Sequence, residues 1–272
     1  MPRTMRPTIT LLTDFGTGDC YVGVMKGVIA GISPQANVVD LTHSVAPQDV
    51  GHAAFALASS FAYFPQGTVH VAVVDPGVGS GRKIVCMKTR RYTFLAPDNG
   101  LLTLVAEREK PTLMVEVAER KYFLPKVSHT FHGRDVFAPV AAHLSLGLNP
   151  AKLGPRLAQI VRLDFPKPVP TPRGWRGEVI CVDRFGNLIT NLSEDMLTER
   201  RHVLVRIGQR RIRGVRQSYS QAKPGELLAL IGSTGCLEIS VNLGSAAKTL
   251  GLGKGAVVEV ARQRETGGTK GN

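Results

Sequence analysis

At 272 residues, with 43% apolar side chains and a formal net charge of +13, the chain is long enough for one large domain or two smaller ones with a sizeable core. No apolar run approaches the roughly 18 residues that a membrane helix needs, and MPRTMRPTIT lacks the apolar stretch of a secretory signal, so a soluble, cytoplasmic protein is expected. Cys20, Cys86, Cys181 and Cys236 lie far apart without a C-x-x-C pair, which argues against a zinc ribbon or a disulfide framework and for reduced thiols.

The first half alternates strand-like and helix-like runs. TITLLTDFG reads as a strand ending at Asp14, YVGVMKGVIAGI as a helix, ANVVDLTH as a strand and DVGHAAFALASSFAYF as a helix. TVHVAVVDPG is a strand ending at Asp75, IVCMKTRRYTFLA is β-branched, aromatic and roughly alternating like a strand, and RDVFAPVAAHLSLG is helical. This order predicts an α/β domain with a mainly parallel sheet covered on both faces. Ligands of such sheets sit at the carboxyl ends of the strands, where Asp14 and Asp75 both fall.

The stretch VVDPGVGSGRK follows an apolar run with glycines and a basic pair. A phosphate loop would need a helix N-terminus behind the glycines. Here Arg82 and Lys83 lead into a strand, and the spacing matches neither phosphate-binding pattern. Two readings stay open. The turn brings Asp75 and Arg82 together at a strand end, or it is a glycine hairpin with an ordinary solvated ion pair.

Residues 164–175, DFPKPVPTPRGW, hold four prolines and no periodicity, as an extended linker does. It separates residues 1–163 from residues 176–262, where GEVICVDRFGNLITNL, HVLVRIG, RIRGV, GELLALIG, CLEISVN and AVVEV predict a small all-β barrel or sandwich. Residues 263–272 are expected to be a disordered tail. The excess positive charge lies mainly in this second half, concentrated in RRHVLVRIGQRRIRGVR at 200–216. Such a run can bind nucleic acid. Its charges alternate with Val203, Val205, Ile207 and Ile212, however, as on the wet face of a half-buried sheet, and no aromatic follows until Tyr219. A solvated face is therefore the expectation, without a nucleic-acid or membrane partner.

Four stretches taken together, TDFGTGDCYVGVMKG, VVDPGVGSGRK, TFHGRDVFAP, and VDRFGNLITN with IGSTGCLEISVN, resemble the S-adenosyl-L-methionine hydrolases, or hydroxide adenosyltransferases, which are relatives of the fluorinases and chlorinases. The resemblance runs from about residue 8 to 261. It implies a Rossmann-like N-terminal domain, a C-terminal β-barrel, and a homotrimer with active sites between the N-domain of one subunit and the C-domain of its neighbour. It also implies a catalytic set that falls on Asp75, Arg82 and His132, and neither metal nor cofactor.

Those residue types suit the reaction. A sulfonium is already a good leaving group, so attack at ribose C5′ demands most of the nucleophile. A guanidinium beside a water favours hydroxide, while Asp75 and His132 can orient that water and accept its proton. In the halogenating relatives an aromatic hydroxyl stands in place of Asp75, and the fluorinases carry an extra loop soon after. A carboxylate beside a halide is repulsive, so water is the expected nucleophile.

The resemblance also implies substrate contacts. Asp14 accepts both ribose hydroxyls, and Asp19 and Asp183 hold the methionine amino end. Phe185 and Tyr219 flank the adenine, while Asn187 pairs with its N6/N7 edge. Ser233 takes the methionine carboxylate, and Glu238 and the Val241 backbone lie on the adenine side. Gln48 stands where halogenases have a tryptophan on the ribose, and Thr234 where they have an arginine. Plainer readings compete: Asp14 and Asp19 as caps of the helix starting near Tyr21, Phe185–Asn187 as a turn, and His129 with His132 as a metal pair, for which no third ligand is near in sequence. His43, His52, His70, His143 and His202 are expected to be structural or solvated.

Overall fold

The computed structural model describes residues 6–197 and 202–262. The tail 263–272 lies outside the described residues, as do Arg200 and Arg201 of the basic run. The chain divides into two compact units, Met1–Asp164 and Phe165–Asn272.

The first unit contains β1 (Thr8–Thr13), α1 (Tyr21–Ile32), β2 (Asn37–Thr42), α2 (Val50–Ser60), β3 (Val69–Val73), β4 (Ile84–Lys88), β5 (Thr93–Pro97), α3 (Thr103–Arg108), β6 (Leu113–Glu116) and α4 (Ala138–Ser145). Its sheet has the order β2-β1-β3-β5-β4-β6. β2, β1, β3 and β5 run parallel, and β4 is antiparallel to both β5 and β6. The sheet is therefore mixed. The stretch expected as one strand, IVCMKTRRYTFLA, is a hairpin: Thr89 and Tyr92 close a turn between β4 and β5, in which Thr89 N donates to Tyr92 O. A connection that short can only return antiparallel. LTLVAER and LMVE, too short to show a full period, form α3 and β6.

Strand side chains alternate between two cores. Ile9, Leu11, Val71 and Val73 pack with Met25, Ile29 and Phe137 on the α1/α4 side, while Leu12, Ala72 and Val74 pack with Leu57, Phe61 and Leu101 on the α2/α3 side. Because β3 is buried along its whole length, the residues just beyond it are held on a rigid platform.

The second unit contains β7 (Val169–Thr171), β8 (Gly174–Val182), β9 (Leu188–Ser193), β10 (Val203–Ile207), β11 (Arg210–Arg213), β12 (Leu227–Ile231), β13 (Cys236–Val241), α5 (Ala246–Leu250) and β14 (Val257–Arg262). Its strands are ordered β11-β10-β14-β8-β9-β13-β12, with β7 beside β8, and all of these pairs are antiparallel. The first half of β8 pairs β14 and the second half pairs β9. A bridge between Arg216 and Leu230 joins the segment after β11 to β12, which brings the sheet close to a closed barrel. Part of the proline-rich stretch expected as a linker enters this sheet, since Val169 pairs Arg176; Pro170 is tolerated because β7 is an edge strand. In β10 and β11, Val203, Val205, Ile207 and Ile212 are buried while Arg206, Arg210, Arg211 and Arg213 are exposed, the alternation expected of a wet sheet face.

Candidate active site

In the first unit the sheet order β2-β1-β3 makes β1 and β3 neighbours whose connections leave in opposite directions. Thr13 pairs Val73, so Asp14 and Asp75 follow adjacent strand ends, the crevice where open α/β sheets place ligands. Asn99, just past β5, donates from Nδ2 to Val74 O at 2.9 Å and braces the residue before Asp75.

The turn after β3 folds back on itself. Val78 N donates to Asp75 O, Ser80 N to Gly77 O, and Ser80 Oγ to Gly77 O at 2.6 Å. Gly79 has φ +77°, and a Cβ there would lie 2.3 Å from His129 O, so only glycine lets the two segments meet. The turn returns Arg82 to Asp75, and the guanidinium grips both carboxylate oxygens: Nε donates to Oδ1 at 2.8 Å and Nη2 donates to Oδ2. The side chains are 11% and 5% exposed, so this is a nearly dry bidentate pair, unlike a solvated surface bridge.

His132 completes the group. Its Nδ1 lies 3.1 Å from Arg82 Nη2. A guanidinium has no acceptor, so Nδ1 accepts and the ring proton of the neutral imidazole is on Nε2. Burial, followed by the Arg82 charge, holds the His132 pKa below the ordinary histidine value; Asp75 and Asp135 oppose this and His129 adds to it.

Asp14 and Gln48 are brought together, Gln48 N donating to Asp14 Oδ2 at 2.9 Å from a left-handed backbone at φ 68°. Asp19 is exposed, and no hydrogen bond among the described residues joins it to Asp14 or Asp75. The capping reading fails for both acids, because the N-cap of α1 is Cys20 and no side chain caps it. Among the described residues no group of three or more His, Cys, Asp or Glu is arranged to hold a metal, and His132 Nδ1 is occupied by Arg82.

In the second unit Asp183 organises the β8–β9 turn. Its Oδ1 accepts from Phe185 N and Asn187 N, and its Oδ2 from Asn187 Nδ2, each at 2.9 Å. The turn reading of this stretch is thus met, with Gly186 at φ +83°. The same turn leaves Phe185 76% exposed. In β13 the buried Glu238 receives Tyr219 Oη at 2.6 Å and Ser240 Oγ at 2.8 Å. Burial and the charges of Glu238 and Asp183 push the Tyr219 hydroxyl pKa up, so the aromatic side chain stays a neutral donor. Asn187 precedes β9, whose Ile189 pairs Glu238, which draws Asp183, Asn187, Tyr219 and Glu238 into one neighbourhood. Ser233 is exposed in the β12–β13 turn, and the Val241 carbonyl already accepts from Gly244 N at 3.0 Å.

Sequence reasoning passed over Ser128 and Asp135. The signal was the HGRD run, in which a buried Asp135 stands three residues after His132. Phe15, Tyr21 and Phe131 form an aromatic cluster beside it, with centroids 5.0–6.0 Å apart, and Gly133 lies against Met25, Phe131 and Phe15.

Comparison with known proteins identifies the family. The SAM hydroxide adenosyltransferase N-terminal domain matches residues 9–154 and the C-terminal domain of the same family matches residues 177–259. A protein of Thermus thermophilus named (R)-S-adenosyl-L-methionine hydrolase is 42% identical over 268 residues, covering 94% of this chain and 100% of that one. One of the same name from Methanocaldococcus jannaschii is 38% identical, covering 90% and 92%. A fluorinase of Actinopolyspora mzabensis is more distant, 27% identical with 94% and 98% covered. The crystal structure of an uncharacterized conserved protein from Thermotoga maritima superposes with a TM-score of 0.87 at 42% identity, covering 93% and 100%. On these matches the chain belongs to the SAM hydroxide adenosyltransferase family.

Proposed function

We propose that this protein hydrolyses S-adenosyl-L-methionine to adenosine and L-methionine by attack of water at ribose C5′. One observation carries the reading: a nearly dry Asp75–Arg82 pair with His132 accepting from the same guanidinium. The water oxygen bonds to C5′ as the C5′–S bond breaks, and the bonding pair neutralises the sulfonium into the thioether of methionine. His132 Nδ1 is already occupied, so His132 orients the water through Nε2–H. The proton passes to Asp75, whose oxygens keep free lone pairs beside Arg82.

The substrate contacts belong to the same reading. Asp14 and Gln48 serve the ribose, Asp19 and Asp183 the methionine amino end, and Ser233 the methionine carboxylate. Phe185, Tyr219, Asn187, Glu238 and Val241 serve the adenine. The exposed Phe185 ring and the neutral Tyr219 support this. It also includes a Rossmann-like N-terminal unit, a cytoplasmic location and a homotrimer without nucleic-acid partner, for which the molar mass in solution is the test.

The reaction is tested by incubating the pure protein with each sulfonium epimer in ¹⁸O water, with and without chloride. Adenosine carrying ¹⁸O and free methionine, indifferent to chloride, is the expected result, with the R epimer preferred as in the names of the relatives. A 5′-chloro nucleoside would replace hydrolysis by halide transfer, and intact substrate would remove the reading.

A further inference from the structure

The segment that carries His132 is closed on itself by a residue outside the Asp75–Arg82–His132 set. Asp135 is fully buried and sits in a single π-helical turn, Gly133–Phe137, that leads into α4; such turns recur at functional sites. Its Oδ2 accepts from Ser128 N at 2.8 Å and Ser128 Oγ at 2.7 Å. Arg134 Nε donates to Oδ1 at 2.6 Å and Arg134 Nη2 to Oδ2 at 3.1 Å. Ser128 Oγ in turn accepts from Phe131 N at 3.1 Å, Asp135 N donates to Phe131 O, and Asp135 O accepts from Leu124 N.

The closed segment makes both contacts with the glycine turn. His129 O rests against Gly79, and His132 Nδ1 meets Arg82. A buried carboxylate is an expensive way to close a loop. It is suited to this one because four donors converge on its two oxygens, Ser128 N, Ser128 Oγ and Arg134 Nη2 on Oδ2 and Arg134 Nε on Oδ1, more than one amide oxygen accepts.

We infer that Asp135, acting through Ser128, is a positioning residue that fixes His132 against Arg82 and thereby sets the turnover rate without touching substrate. The inference rests on the hydrolase reading for its kinetic consequence only. Loss of the lock frees His132 from Arg82, so its titration moves up toward the ordinary histidine value. The charged and titratable groups facing it are Arg82, Asp75, Asp135 and His129, and in Ser128→Ala all of them remain.

The experiment compares Ser128→Ala, Ser128→Thr and Asp135→Asn with the wild-type protein by steady-state kinetics and by NMR titration of the His132 ring. Ser128→Ala and Asp135→Asn are expected to lower kcat by on the order of 10- to 100-fold with KM changed less than about twofold. Ser128→Thr, which keeps the hydroxyl, recovers activity relative to Ser128→Ala. The His132 titration rises in Ser128→Ala. An unchanged kcat in Ser128→Ala, or a His132 titration identical to wild type, overturns the inference even if Asp135→Asn fails to fold. Absence of turnover in the wild-type protein removes the hydrolase reading instead, and the NMR comparison still decides whether Asp135 positions His132.

Discussion

Arg82 Nη2 lies 3.1 Å from Nδ1 of His132, a contact that exists only while the imidazole is neutral. Protonation at Nδ1 would set a donor against a donor and a cation against a cation. The pH dependence follows from the sign of the shift. Burial and Arg82 depress the His132 pKa, so the neutral form, which the proposed mechanism requires, persists below the ordinary value of about 6.5, and activity is expected to be lost only as pH falls further. The pH profile of kcat is expected to be flat from neutrality to about 6.5 and to descend below it. An acid limb centred above about 7 would contradict the tautomer assigned to His132.

In the proposed mechanism Arg82 serves the site twice, and its removal should show both effects. Arg82→Ala is expected to lower kcat by on the order of 10²- to 10³-fold, the usual scale for one preorganised donor group. It also leaves Asp75, 5% exposed at its side chain, as an uncompensated charge, at a cost to stability of about 3–5 kcal/mol. Arg82→Lys keeps the charge but cannot reproduce the two-pronged grip on Oδ1 and Oδ2, so it should recover stability more than activity. Parallel turnover and urea-unfolding measurements separate the two effects.

Two glycines of the same turn give an internal contrast. At Gly79, φ is +77° and an added Cβ would meet a backbone oxygen, His129 O, at 2.3 Å, while at Gly81 it would meet nothing within 4 Å. Gly79→Ala is therefore expected to cost about 1–3 kcal/mol and most of the activity, because the Asp75 turn and the His132 segment must part. Gly81→Ala should stay within about 0.5 kcal/mol of wild type. Equal effects of the two substitutions on melting temperature and kcat would show that the contact between Gly79 and His129 is not what holds the turn.

The legible parts of this site were those written in local pattern. An apolar run ending in Asp75 announced a buried strand end, and alternation through Val203, Val205 and Ile207 announced a half-wet sheet face. The hairpin within IVCMKTRRYTFLA was less legible because its turn contains no glycine, asparagine or proline to mark it. β7 was hidden for the opposite reason, since proline punctuates loops and edge strands alike. Asp135 was missed because its partner Ser128 lies across a loop, where neither helical nor strand period applies. For Asp183 the turn is what the structure displays: its carboxylate accepts from Phe185 N, Asn187 N and Asn187 Nδ2, and this turn leaves Phe185 exposed.

His70 offers a test of the first unit independent of catalysis. It is fully buried in β3, hydrogen-bonded through Nδ1 to Thr10 Oγ1 at 2.8 Å, and stacked on Phe94 with centroids 5.0 Å apart. Burial lowers its pKa to about 3, whereas the unfolded chain takes up the proton near 6.5. A depressed folded pKa contributes stability that is complete above about pH 6.5 and is lost as pH falls from there toward 3. The loss approaches about 1.4 kcal/mol per pH unit for one proton, or about 2 kcal/mol by pH 5. His70→Phe combined with Thr10→Val removes the titrating ring together with the hydroxyl that would otherwise be left buried and unpaired. Urea unfolding at pH 7 and pH 5 should show the double variant losing about 2 kcal/mol less than wild type over that interval. Other acid-sensitive groups, including Asp40 and Asp135 with their lowered pKa values, contribute equally to both proteins, so the difference in slope isolates His70. An identical slope would mean that the ring reaches solvent or a proton acceptor in the folded protein.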